Sequence, residues 1–174
     1  MGFDDLRRFT VGKEARLDIY ANAETINRLK IAFDYAFNGE NHYYGYLKPV
    51  PHIITEPFKI CGWDISPLPV THGKVDTIGF QFSDQFAYIP DAKTLSDQAL
   101  DKIKDIPILI LDGLHMTDHN THLSIPEAVE VSKKVNAQQT WLTHFTCRVN
   151  YQKIEPTLPE NIRLAWDGLK LDIG

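Results

Sequence analysis

Three side chains stand just past apolar runs: His72 after residues 65–70, Asp91 after 86–89 and His144 after 141–142. Such runs, stopped by polar or turn-forming residues, read as strands, so the three side chains are expected to project from strand ends toward a common edge. Imidazole and carboxylate supply the nitrogen and oxygen donors that suit zinc, manganese or iron, and a carboxylate can bridge two cations. His115, His119 and His122 follow in a segment without a core pattern. An imidazole held beside a metal site but off the metal can act as general acid, its unperturbed pKa being ~6.5. The sequence does not choose which of the three would do so. Lys74 and Lys93, each two residues past a proposed ligand, read either as phosphate contacts or as ordinary surface lysines. His42, Tyr43, Tyr44 and Tyr46 read either as a stacking platform or as a loop packed on its own domain.

The elements that must position these groups follow from the pattern. Residues 16–20 alternate as a short strand, and Asn22 caps a helix whose Ile26, Leu29, Phe33 and Phe37 recur at helical spacing until Asn38-Gly39. Residues 41–57, rich in Tyr, Pro and His, read as a long loop or lid with one edge strand. Residues 58–60 and 63–70 flank Cys61-Gly62 as a hairpin that delivers His72, and residues 77–82 and 86–89 form a second that delivers Asp91. Thr94 opens a helix with Leu95, Leu100 and Ile103 on its apolar face. Residues 106–111 form a continuous apolar run, the mark of a strand buried on both faces, which stops at Asp112. Ser124-Ile-Pro-Glu127 is a capping-box opening for a helix over 127–135, and 140–144 is the strand after it. Residues 162–166 and 169–173 flank Asp167-Gly168 as a last hairpin. Hairpins together with helix-connected strands predict a mixed α/β (α+β) sandwich in one domain, residues 1–174.

Bulk properties narrow the function. The 174 residues are 43% hydrophobic and 24% charged, enough for a core of their own. A net charge of −5 and the absence of a basic stripe argue against nucleic acid as partner. A small anionic substrate remains open, because a metal can dominate a pocket whatever the net charge. Cys61 and Cys147 are the only cysteines, too few for a disulfide framework or a zinc ribbon. The N-terminus is charged from the start, Leu6 stands where myristoylation expects Ser or Thr, and no stretch approaches the ~20 apolar residues of a membrane span. The expectation is a cytoplasmic protein.

Thr117-Asp-His-Asn-Thr-His-Leu-Ser124, the Pro-Glu-Ala helix opening, Leu142-Thr-His144 and Trp166-Asp-Gly-Leu169 stand in this order. Together they resemble the C-terminal part of metallo-β-lactamase-fold hydrolases, in particular the branch of the phosphoribosyl cyclic phosphate phosphodiesterase. The opening Gly2-Phe-Asp-Asp-Leu-Arg7 is similar to the stretch that follows the His-x-His-x-Asp-His metal motif in that branch. The resemblance implies an αβ/βα sandwich with two divalent ions, zinc or manganese and also iron, at one edge. His72 would bind one ion, His144 the other, and Asp91 would bridge them. His122 would protonate the leaving group, with His119 in a supporting position. The implied reaction is hydrolysis of a small, cyclic phosphodiester by hydroxide activated by the two metals.

Two departures stand out. The His-x-His-x-Asp-His motif is absent, so the fold is expected to be N-terminally incomplete, with Met1 inside a longer family domain or a start placed too late. Each ion would then keep two protein ligands where a catalytic zinc usually has three. Cys147 also stands where the family often has a second histidine after Leu-Thr-His. The alternatives are therefore a catalytically inactive binding or assembly module of the same fold and a metal-free protein that binds a small ligand. An exposed strand edge would also favour a homodimer.

Overall fold

The computed structural model describes residues 2–10, 15–39, 43 and 45–173. The chain divides into two compact units, Met1–Thr55 and Glu56–Gly174. Among the described residues, no helix is long and apolar enough to cross a membrane.

The first unit opens with a 3-10 helix, Gly2–Phe9, followed by strand β1 (Leu17–Ala21), helices α1 (Ala23–Ala32) and α2 (Asp34–Phe37) and strand β2 (Pro49–Ile53). The Asn22 side chain accepts the Thr25 N–H at 2.8 Å and starts α1 as expected. The expected single helix breaks at Phe33, whose backbone leaves helical geometry at φ −128°. Its ring turns inward, 7% exposed, and packs on Phe3 at 4.6 Å between centroids, so tertiary packing overrides the run of helical spacing. β2 lies parallel to β1, with Ile19 opposite Pro51. It supplies the strand expected within 41–57, and the helices make the crossover that a parallel pair requires. Tyr43 packs edge-on against Tyr46, which in turn meets Tyr35, so these rings serve their own unit. His42 and Tyr44 lie outside the described residues.

The second unit is built on β3 (Phe58–Ile60), β4 (Trp63–His72), β5 (Val75–Phe82), β6 (Phe86–Ile89), β7 (Thr94–Leu95), β8 (Ile108–Asp112), β9 (Gln139–Thr143) and β10 (Ile162–Leu164), with helices α3 (Asp97–Lys102), α4 (Ile125–Val135) and α5 (Tyr151–Ile154). These strands form one eight-stranded sheet in the order β10-β9-β8-β6-β5-β4-β3, with β7 paired to β4. β3 to β6 are antiparallel neighbours, whereas β6, β8, β9 and β10 run parallel. The mixed α/β expectation is met. Cys61 and Gly62 both take positive φ, the two-residue turn that matches the twist of the β3–β4 hairpin.

Direction follows from this pairing. β4 is antiparallel to β5 and β5 to β6, so β4 points the same way as β6, β8 and β9. The C-terminal ends of all four therefore share one edge, where ligands bind in sheets of this kind. Leu109, Leu111 and Leu142 are fully buried and pack in one cluster with Ile125 and Ala128 of α4 and Ile103 beside α3. β8 was expected to be buried on both faces, but its burial alternates: Ile108 and Ile110 are only partly covered.

Three further expectations shift. Thr94 does not open a helix: Thr94 and Leu95 pair with Thr71 and Val70 of β4, and Ser96 is the cap, accepting the Ala99 N–H at 3.1 Å. Asp167-Gly168 makes a turn closed by Leu169 N–H to the Trp166 carbonyl at 3.0 Å, with Gly168 at φ +88°. No strand follows it within the described residues, so this is a turn without a hairpin. The capping box forms at Ser124, but the helix starts at Ile125. Ser124→Ala is expected to cost about 1–2 kcal/mol of stability, read as a lower urea midpoint with an unchanged slope.

Candidate functional site

The shared sheet edge carries the site. His72 is the last residue of β4, and the turn after it presses on the loop 113–124. Gly73 has φ +64°, and a Cβ placed there would come within 2.7 Å of Thr121 Cγ2, so glycine is required for this approach. The approach sets the His72 ring against His122: their Nε2 atoms are 2.9 Å apart. Asp91 follows β6 by two residues and meets His144, with Oδ1 and Nε2 3.3 Å apart. His144 follows β9 directly and holds a left-handed backbone, φ +64°.

One participant had no part in the sequence expectation. Asp112 ends β8 and is fully buried. Its Oδ2 lies 2.7 Å from His122 Nδ1 and accepts the Ala92 N–H at 2.9 Å, while Oδ1 has no hydrogen-bond partner among the described residues. Burial pushes the Asp112 carboxyl up to about 7, against the pull of the Ala92 N–H and the histidines. The signal was present, since Asp112 stops an apolar run just as His72 does, but its partner lies ten residues away in a loop without periodicity.

The loop 113–124 brings its other histidines alongside. The His119 ring is 5.3 Å from His122, and its Nδ1 accepts the Thr121 N–H at 3.3 Å. Burial, with His122 and His115 nearby, holds His119 below the usual histidine value. His115 is buried, 5.7 Å from His119 between ring centroids, and its Nδ1 contacts Thr117 Oγ1. It sits behind the edge and not on it.

Lys93 is not available to a phosphate. Its ammonium holds Asp118 at 2.6 Å and Glu127 at 2.7 Å, with the side chain only 20% exposed. Burial disfavours its charge, yet the two carboxylates outweigh that and hold its pKa above the usual lysine value. Lys93 thus clamps the histidine loop to the first turn of α4. Lys74 is exposed in the turn after His72. Cys147 is also exposed, without a disulfide.

The donor chemistry fits a divalent cation. One ligand atom each from His72, Asp91 and His122 lies within 4.8 Å of the others. The 3.3 Å between Asp91 Oδ1 and His144 Nε2 is also the separation of two donors on one tetrahedral ion with bonds of about 2.0–2.1 Å. Three donors of the nitrogen and oxygen type therefore converge, with His144 beside Asp91 and a buried carboxylate behind His122.

Residues 1–145 match the family model described as the beta-lactamase superfamily domain. The chain is similar to the crystal structure of a diphosphatase from the PhnP family, with 30% identity and a TM-score of 0.87, covering 98% of this chain and 65% of that one. It thus spans less than two thirds of that protein. It shares its fold with the metallo-beta-lactamase fold protein YhfI from Bacillus subtilis, at 18% identity and a TM-score of 0.72, covering 95% and 69% of the two chains. The zinc-bound PqqB from Methylobacterium extorquens is similar at 14% identity and a TM-score of 0.70, covering 97% and 68%. No curated protein matches the sequence.

Proposed function

The chain belongs to the family of beta-lactamase superfamily domains, and from that premise we propose that it is a metal-dependent hydrolase of small phosphodiesters. The observation that carries the proposal is the convergence of His72, Asp91, His122 and His144 on one sheet edge, with Asp112 2.7 Å behind His122. The diphosphatase that is 30% identical supports chemistry at phosphorus. In this reading residues 1–174 are part of one family domain.

His72 would hold one divalent ion and His144 a second, with Asp91 between them; zinc and manganese suit these donors, and iron is compatible. Such ions, when bound, polarise phosphoryl oxygens and lower the pKa of water. The remaining work falls to the chain's own side chains. As a water oxygen bonds to phosphorus and gives up a proton to solvent, the P–O bond to the leaving group breaks, and the leaving oxygen takes a proton from His122 Nε2. Asp112 Oδ2, 2.7 Å from Nδ1, holds the ring in place, and the ring takes up a proton from solvent before the next turnover. His119 flanks the ring and limits its rotation.

The test is elemental analysis of the purified chain together with hydrolysis of an aryl phosphodiester by the same sample. Bound metal with turnover is the expected result, and His72→Ala, Asp91→Ala and His144→Ala should each reduce the metal content. A folded chain that takes up no metal and leaves the diester intact would overturn the proposal. It would favour a metal-free binding module, a reading with one observation behind it: the His72–His122 contact of 2.9 Å already satisfies both nitrogens as a hydrogen bond.

A further inference from the structure

Beside His144, on the side of Asp91 away from β4, lies a cavity of about 370 Å³ lined by Thr143, His144, Phe145, Tyr151, Trp166 and Asp167, with Ala165. That volume falls within the about 300–1,000 Å³ typical of small-molecule sites. Three of the lining side chains are aromatic. Trp166 is 54% exposed, and its ring meets that of Trp141 edge to face at 5.7 Å. Phe145 and Tyr151 meet edge to face at 5.6 Å. The walls are stiff. The Tyr151 hydroxyl donates to the Ala165 carbonyl, the Ala165 N–H donates to the Leu142 carbonyl at 2.8 Å, and the turn after Trp166 is closed by its own hydrogen bond.

Of the polar groups that line the cavity, the exposed Asp167 carboxylate is the one that discriminates between rings. An ionised carboxylate such as Asp167 only accepts hydrogen bonds, so it favours a ring with N–H donors and repels an anion. A phosphate would therefore stay at His144, while a planar, donor-bearing ring enters between Trp166 and Tyr151. We propose that this cavity is a nucleobase subsite, holding the base of a phosphodiester substrate and preferring guanine. The N1–H and N2–H of guanine form a donor pair spaced for one carboxylate, whereas uracil presents carbonyl oxygens on both sides of its single N–H. The inference rests on the phosphodiesterase reading and narrows its substrate to nucleotide-like diesters.

Isothermal titration of the 174-residue chain with guanosine 5′-monophosphate, uridine 5′-monophosphate and ribose 5-phosphate tests it. The three share ribose and phosphate, so the differences read the base. Guanosine monophosphate should bind more tightly than ribose 5-phosphate by roughly 5- to 150-fold, the range of one base–aromatic stack. Trp166→Ala should remove that advantage, Trp166→Phe should keep most of it, and Asp167→Asn should abolish the preference over uridine monophosphate. Guanosine monophosphate binding no better than ribose 5-phosphate, or an advantage untouched by Trp166→Ala, would overturn the subsite. Base binding through Trp166 in a chain that never loads metal or hydrolyses a diester would overturn the phosphodiesterase reading instead. Aryl diester hydrolysis without any base preference would leave that reading standing and remove this one.

Discussion

His122→Ala is expected to lower phosphodiester turnover by about 10²–10⁴-fold, the usual contribution of a positioned general acid, while the metal content stays at the wild-type level. The split between the two readouts is the substance of the prediction. A ring nitrogen of His122 lies within 4.8 Å of donor atoms of His72 and Asp91, close enough for the ring to be a ligand instead of an acid. The buried Asp112 on Nδ1 orients the ring for an acid as it would for a ligand, so the metal content and the leaving group decide. Leaving groups separate the roles further. The deficit should shrink for an aryl oxide, which needs little protonation, and grow for an alkoxide. A variant that loses metal as completely as His144→Ala, with equal deficits for both leaving groups, would make His122 a ligand and dismiss it as the acid.

Asp112→Asn should remove a pH dependence of stability from the metal-free protein. The carboxyl is displaced from 3.8 up to about 7, chiefly by burial. Between those values the folded chain holds a proton that the unfolded chain has released, so stability falls as pH rises. The penalty is absent below about pH 4 and complete above about pH 7, and a shift of this size corresponds to something on the order of 4 kcal/mol. His119 works in the opposite direction. Its lowered pKa withdraws stability as pH falls through the ordinary histidine range. The difference between wild type and Asp112→Asn isolates the carboxyl, because His119 is common to both. Urea midpoints at pH 4.5, 6 and 8 in the presence of chelator should therefore diverge, with the variant gaining on the wild type toward pH 8. Parallel curves would mean that Asp112 is ionised throughout.

The placement of His72, Asp91 and His144 at strand ends was legible because each follows an apolar run, and the pairing of β4, β5, β6, β8 and β9 turns that local signal into a shared edge. Asp112 gave the same signal, but its meaning depends on a contact with His122 that no local pattern encodes. Lys93 was misread for a related reason. Its position two residues past Asp91 is visible in the sequence, whereas Asp118 and Glu127 reach it only once the loop and α4 are folded. The same holds for secondary structure. Ser124 announced its helix through a motif four residues long, but Thr94 and Leu95 became a strand through β4. Among the described residues, 169–173 pair with no strand, and a turn signal cannot supply a partner. The aromatic cavity beside His144 was half legible: Trp166-Asp-Gly stood out as a motif, but its sharing of one cavity with Tyr151 did not.

The left-handed backbone of His144 sets stability against aim. A side chain with a Cβ gives up about 1 kcal/mol or more in that region, and glycine gives up none. His144→Gly should therefore raise the urea midpoint of the metal-free chain even as it deletes a donor. Under screening for ruggedness alone, position 144 would drift toward glycine, and the hardier molecule would be the one that has lost the imidazole facing Asp91.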